Sequence, residues 1–407
     1  MKKAGNMIKE GMQNAFSPIR KFMHIEASGG IVLLLSSIIA LIASNSFLSS
    51  WYFQFINTPV SVSIGGFELT KTLLLYVNDG LMAIFFYLVG LEIKREILSG
   101  ELSSPQKASF AIFAAIGGML FPALIYVFTN LGGSYTHAWG VPMATDIAFA
   151  LGILTLLGKR VPVALKIFLL ALAIVDDLGA ISVIALFYTE EIASNYLGFA
   201  GLAMFLLFLL NFSGLRNIAI GLALGLVTWF CFLKSGVHAT IAGVMLAFLT
   251  PTYRLTQEGK LDKSRSMVDE YIHALHPWSA FLIMPIFAFF NAGVSVQGIG
   301  LMDVFQNPVS LGIILGLVLG NPIGITLLTF TATKLKIAEK PKDITWSQVF
   351  SVGFLAGIGF TMSLFISSLA FTGMDVEAYS KLGILTGSII AMVLGLSLTY
   401  ISTKNVK

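Results

Sequence analysis

One cysteine, Cys231, stands among 407 residues, which excludes an internal disulfide and leaves no thiolate cluster for a metal. Charge is scarce as well. Only 11% of the residues are Asp, Glu, Lys or Arg, too few to clothe a water-soluble domain of this size. The net charge of +4 is spread over separate loops, so a nucleic-acid-binding face is not indicated. A cleavable leader is not expected, because the first apolar run follows a polar, basic stretch of about 28 residues. No cofactor is expected either.

Apolar residues are abundant instead, at 56% of the chain, with a mean hydropathy of +0.87. The apolar runs recur along nearly the whole length, which predicts an all-α polytopic membrane protein that meets the lipid bilayer directly. Twelve transmembrane helices are expected, at about 29–47, 71–91, 108–129, 140–157, 163–187, 195–211, 217–233, 237–250, 278–296, 308–333, 347–371 and 381–402. With the N-terminus inside, every Lys and Arg of the 25 falls on the inner side except Lys71, Lys234 and Lys381. That bias predicts both termini in the cytoplasm, and no base deep in the membrane. The chain reads as one domain, 1–407, with a cytoplasmic segment at 1–28 that either lies along the membrane surface or is simply a polar leader. An extracytoplasmic loop at 51–70 carries "VSVSIGGFELT", which alternates around Gly65 and Gly66 like a β-hairpin. A lone hairpin is marginal in water, so 62–70 either pairs with something, a second copy of the chain being one candidate, or is an ordinary loop.

Four acids fall inside the expected spans: Asp79, Asp146, Asp176 and Asp177. Each costs at least ~2.5–3.5 kcal/mol in hydrocarbon and is expected to face a polar interior. The sharpest feature is "AIVDDLGAI", where Asp176 and Asp177 are adjacent. Two carboxylates ~4 Å apart repel by ~4 kcal/mol at an effective dielectric of ~20. No base is close in sequence, so a bound proton or small cation must relieve the repulsion. Hard cations prefer oxygen ligands, and this pair supplies them.

Two spans carry helix breakers beside polar residues. In "GVPMATDIAFALG", Pro142 precedes Thr145 and Asp146; "SVGFLAGIGFTMSLF" carries Gly353, Gly357 and Gly359. These are the middle members of spans three to five and ten to twelve. Interrupted segments at matching places in two halves predict an inverted repeat with a transport site at the midplane.

Together "NDGLMAIFFYLVGLEIKREI", "ATDIAFALGIL", "AIVDDLGAI", "KSGVHATIAGV", "HPW" with "FAFFNAGVS", and "GIGFTMSLFISSLAF" resemble the NhaA family of bacterial sodium/proton antiporters, over nearly the whole chain. The link between interrupted segments and transport sites is itself drawn partly from this family, so the two readings are not independent. The resemblance implies discontinuous helices 4 and 11 crossing at the midplane. Asp176 and Asp177 become the pair that binds H+ and Na+ (or Li+), with Thr145, Asp146, Asp79 and Asn321 in support. It also implies a homodimer through the hairpin, residence in the bacterial inner membrane, and electrogenic exchange activated at alkaline pH. Candidates for the pH response are Glu92, Arg95 and Glu96 on "GLEIKRE", His238 in "KSGVHATIAGV", and His273 and His276 before "PW". Two departures stand out. "LGNPIG" puts Asn321 where the family usually has a lysine facing the first Asp of the pair, and "DEYI" replaces the usual basic residues and glutamate before the histidines.

Two other classes compete. A sodium-coupled symporter of an organic solute would need an intramembrane base for an organic anion, and none is seen. An intramembrane aspartyl protease needs two Asp on different helices, and no GxGD-like context is present.

Overall fold

Backbone in hydrocarbon must satisfy its own hydrogen bonds, so the apolar runs fold as helices. The computed structural model describes residues 28–407 apart from 65–66, 190–191, 213–217, 256–260, 372 and 405–407. The cytoplasmic segment expected at 1–28 therefore lies, apart from Ser28, outside the described residues. Helix α1 (Ser28–Ser44) leads through a 116° bend into α2 (Ser49–Ile56). The hairpin β1 (Pro59–Ile64) and β2 (Phe67–Thr72) follows, then α3 (Leu73–Ser99) and α4 (Pro105–Thr129). After an irregular approach come α5 (Ile147–Leu156), α6 (Val163–Phe187), α7 (Ser194–Phe212), α8 (Ile218–Ser235) and α9 (Thr240–Leu249). A second small hairpin, β3 (Tyr253–Leu255) and β4 (Leu261–Ser266), precedes α10 (Met267–Asn291). The chain ends with α11 (Leu301–Gln306), α12 (Pro308–Lys334), α13 (Trp346–Ala356), α14 (Phe360–Ala370) and α15 (Glu377–Ser402). Among the described residues, eight helical segments are long and apolar enough to cross a membrane, and ten if each bent pair is one span. Two shorter apolar helices, at 219–235 and 240–249, accompany them.

The first span stops at Ser44, short of the expected 47, because Asn45 is tied elsewhere. Its amide donates to the Leu41 and Val294 carbonyls (2.9 and 2.7 Å), and its oxygen accepts from Val296 N–H at 2.8 Å. The ninth span starts at Met267 rather than near 278, since Ser266 caps a longer helix through Asp269 N–H. Within α12 the turn Gly316–Gly320 widens to π geometry. Pro322 lacks an N–H and its ring would strike the carbonyl four residues back, which the wider turn relieves. The hairpin register, Ile64 opposite Phe67 and Pro59 opposite Thr72, leaves 65–66 as the connection and extends the expected strand pair in both directions.

Tight helix pairs set the centre of the bundle. A Cβ on Gly117 of α4 would run into the Gly324 carbonyl of α12, and one on Gly324 into that of Gly117, so the two backbones touch. One continuous buried cluster runs through α1, α3, α4, α6 and α10 to α15. Outward faces are apolar instead: Leu186 is 76% exposed and Leu226 65%, a surface suited to lipid rather than water.

Candidate functional site

The approach to α5 is broken by design of its sequence. Pro142 is the middle residue of a single 3-10 turn, Val141–Met143, and residues 144–146 then run without helix before α5 begins. The second break lies between α13 and α14, whose axes differ by 46° around Gly357 and Gly359. The two breaks lie against each other. Asp146 N–H donates to the Ile358 carbonyl at 2.7 Å, and the Thr145 hydroxyl donates to the Ala356 carbonyl at 2.7 Å.

Each break exposes helix ends with unpaired backbone groups. Asp146 answers two of them. Its Oδ1 accepts from Phe149 N–H at 2.9 Å, capping α5, and its Oδ2 accepts from the N–H (3.2 Å) and hydroxyl of Thr361, in the first turn of α14. One carboxylate thus faces two positive helix N-termini, which favours its negative charge. Thr145 serves the opposite sign, donating to the C-terminal end of α13.

Helix α6 brings Asp176 to this crossing. Its Oδ2 accepts from Thr145 N–H at 2.8 Å. Asp177 is the next residue, turned about 100° around the helix. Thr145, Asp146, Asp176, Asp177 and Asn321 are each only 1% exposed. Yet Oδ1 of Asp176, Oδ1 of Asp177 and Nδ2 of Asn321 have no hydrogen-bond partner in the protein. Buried polar atoms are normally paired, so two free carboxylate oxygens on adjacent residues point to a ligand. Two hard oxygens suit either protons or a small cation. Asn321 sits just after the π turn of α12, beside Gly118 of α4.

Asp79 belongs elsewhere. It pairs with Lys71 from β2 at 2.5 Å and faces His238 Nε2 at 3.7 Å. The expectation that all four buried acids lack a base is therefore corrected: the hairpin leaves the membrane run and delivers Lys71 back onto Asp79. His238 also meets the Thr240 hydroxyl at 2.8 Å through Nδ1. Glu92, Arg95 and Glu96 lie at the other end of α3. There Glu96 accepts from Arg95 at 3.3 Å and from Glu101 N–H at 2.9 Å. His273 and His276 are exposed on the first turns of α10. His238 is on another element, whereas the α3 segment before Glu92 and the start of α10 before His273 pack together through Leu91 and Ile272. Sequence reasoning missed Thr361. A threonine two residues past Gly359, opening an apolar run, was the available signal.

Two broken spans that share a carboxylate cap, beside a pair of buried acids with free oxygens, define a secondary ion transporter of the discontinuous-helix class. The sequence profile of the family described as Na+/H+ antiporter 1 matches residues 20–399. The chain is 52% identical over 379 residues to the Na(+)/H(+) antiporter NhaA of Aeromonas salmonicida strain A449, covering 92% of this chain and 94% of that protein. It is 50% identical over 383 residues to the protein of the same name from Escherichia coli O139:H28, covering 93% and 97%. The chain belongs to the Na+/H+ antiporter family and exchanges Na+ for H+ across a membrane.

Proposed function

We propose that Asp176 and Asp177 are the residues that carry the exchanged ions, each load displacing the other. The observation that carries this is the pair of free Oδ1 atoms on two buried, adjacent carboxylates. With protons bound, each carboxyl is neutral and tolerable in a low dielectric. With both ionised, the pair repels itself and attracts Na+ or the smaller Li+. Thr145 N–H orients Asp176, and Asp146 holds the two broken spans in register by capping both. The test is exchange in proteoliposomes, read as collapse of an imposed pH gradient on adding NaCl, LiCl or KCl. A response to Na+ and Li+ that survives in Asp177→Asn would defeat the assignment.

The finer reading has twelve spans, arranged as inverted repeats whose broken members cross at the midplane of the bacterial inner membrane, with both termini cytoplasmic. The distribution of Lys and Arg supports the orientation. The hairpin is a two-stranded sheet that a second copy could extend, which supports a homodimer. Exchange is electrogenic if both carboxyls load protons, since the Na+ form then carries one more negative charge. Activation at alkaline pH follows from the same competition, because Na+ binds only after the protons leave. A role in pH and sodium homeostasis follows. The protein is no enzyme on this reading: Asp176 and Asp177 are neighbours on one helix, whereas an aspartyl protease opposes two acids from different segments.

A further inference from the structure

His137 lies in a short turn, Thr136–Ala138, ahead of the first break. Its ring is exposed, yet both nitrogens are aimed at backbone carbonyls. Nδ1 is 3.2 Å from the Ser134 oxygen and Nε2 is 3.0 Å from the Ala370 oxygen. Ala370 is the last residue of α14, so its carbonyl belongs to the unpaired, negative end of that helix. The backbone of His137 is held as well, because its carbonyl accepts from the Tyr188 hydroxyl at 3.1 Å. Tyr188 caps α6. The ring also packs on Phe371, at 6.0 Å between centroids. One residue therefore joins the ends of three segments that carry the site. They are the approach to Thr145 and Asp146, the helix of Asp176 and Asp177, and the half-helix of Thr361.

A neutral imidazole has one N–H and one lone pair. Facing two carbonyls, it donates to one and repels the other. Only the imidazolium donates to both. Tyr188 does not change with it, since burial pushes its phenol above the ordinary range and keeps it a donor. The other titratable and charged groups on the elements packed here are Tyr135 on the same turn, Asp375, Glu377 and Lys381 beyond Ala370, and His238, whose ring packs on Phe365 of α14, with Asp79 and Lys71 beside it. Lys381 is paired to Glu377 at 2.9 Å. Glu190 and Glu191, which follow Tyr188, lie outside the described residues.

We infer that His137 is a positioning residue whose protonated ring latches the ends of the two broken spans together, so that acid on its side of the membrane slows exchange. The inference rests on the exchange reading above and, for the side sensed, on the Lys and Arg orientation, which puts His137 outside. Two measurements keep these apart. The first is Na+/H+ exchange in oriented proteoliposomes, with internal pH fixed and external pH varied from about 8 to 5.5. The unmodified protein is expected to slow about threefold through the latch, the size of one partly screened hydrogen bond. His137→Gln should lose that slowing, and His137→Arg, with two permanent donors, should stay slow throughout. An unchanged external-pH profile in His137→Gln would overturn the inference while leaving exchange intact. The second needs no transport: hydrogen exchange of the 360–371 backbone, corrected for intrinsic rate. Protection should be greater at pH 5.5 than at pH 8 in the unmodified protein and equal at both in His137→Gln. Equal protection at both pH values in the unmodified protein would also overturn it.

Discussion

Asp79 and the Asp176–Asp177 pair are all buried acids in apolar helices, but their oxygens meet different fates. Asp79 has a lysine at 2.5 Å and a histidine behind it, so its charge is answered by the protein. Asp176 has one oxygen on Thr145 N–H and one free, and Asp177 also keeps a free oxygen. Asp146 is a third case, with both oxygens saturated by helix N-termini. Burial therefore does not mark a transport site by itself. An unanswered carboxylate oxygen is what sets the Asp176–Asp177 pair apart and supports the proposed ion site, because a charge without a partner must be neutralised by something that comes and goes.

The largest effect should come from removing the free oxygens. Asp177→Asn is expected to abolish exchange while the protein remains folded, as Asn carries neither a proton nor a charged ligand. Gradient collapse and a thermal melt on the same sample would check both halves. Asp176→Asn is expected to be nearly as severe. Rapid Na+-driven proton release from either would break the contrast with Asp79.

Next comes the sign of the pH dependence. If protons and Na+ compete for the oxygens of Asp176 and Asp177, as proposed, Na+ affinity should fall as pH falls and binding should release protons. Titration calorimetry in buffers of different ionisation enthalpy reports that count. Affinity that stays constant between about pH 6 and 9 would contradict shared ligands.

Asp146→Ala tests the saturated case. Losing the cap on α5 and the tie to Thr361 should cost about 1–2 kcal/mol and lower both the melting temperature and the rate. A variant with normal stability but no exchange would move Asp146 into the ion-binding set.

Asn321→Lys sharpens the comparison from the other side. It puts a base at the position where the family resemblance implies one facing Asp176. An ammonium there favours the ionised carboxylates, so half-maximal activity should move to lower pH. A profile unmoved by the new lysine would show that Asn321 does not face the pair. The smallest effect on exchange is expected for Lys71→Met. It should destabilise by about 1 kcal/mol, since the pair is partly exposed, and Asp79→Asn in the same chain should restore most of that. Loss of transport in Lys71→Met without loss of stability would put Asp79 back in the ion path.

Several features were legible in the residues alone. Adjacent acids in "AIVDDLGAI" stand out because hydrocarbon makes each costly, and Pro142 and the glycines of "GIGF" mark breaks because they disrupt a helix locally. The Gly65–Gly66 hairpin was readable from alternation. Other features were invisible. Thr361 is an ordinary residue in an apolar run until Asp146 is seen to reach it. Lys71 counts as a loop lysine until the hairpin folds it onto Asp79. His137 looks like a loop histidine until the end of α14 arrives at its ring.

The division has one physical cause. Lipid accepts no hydrogen bonds, so composition and breakers alone determine that this chain forms helices, where two of them fail, and which acids are expensive. Whether each acid is answered by a base, by a helix end or by nothing depends on donors brought from distant elements. Only the tertiary structure decided that, giving Asp79 its lysine, Asp146 its two helix ends, and the Asp176–Asp177 pair its two free oxygens.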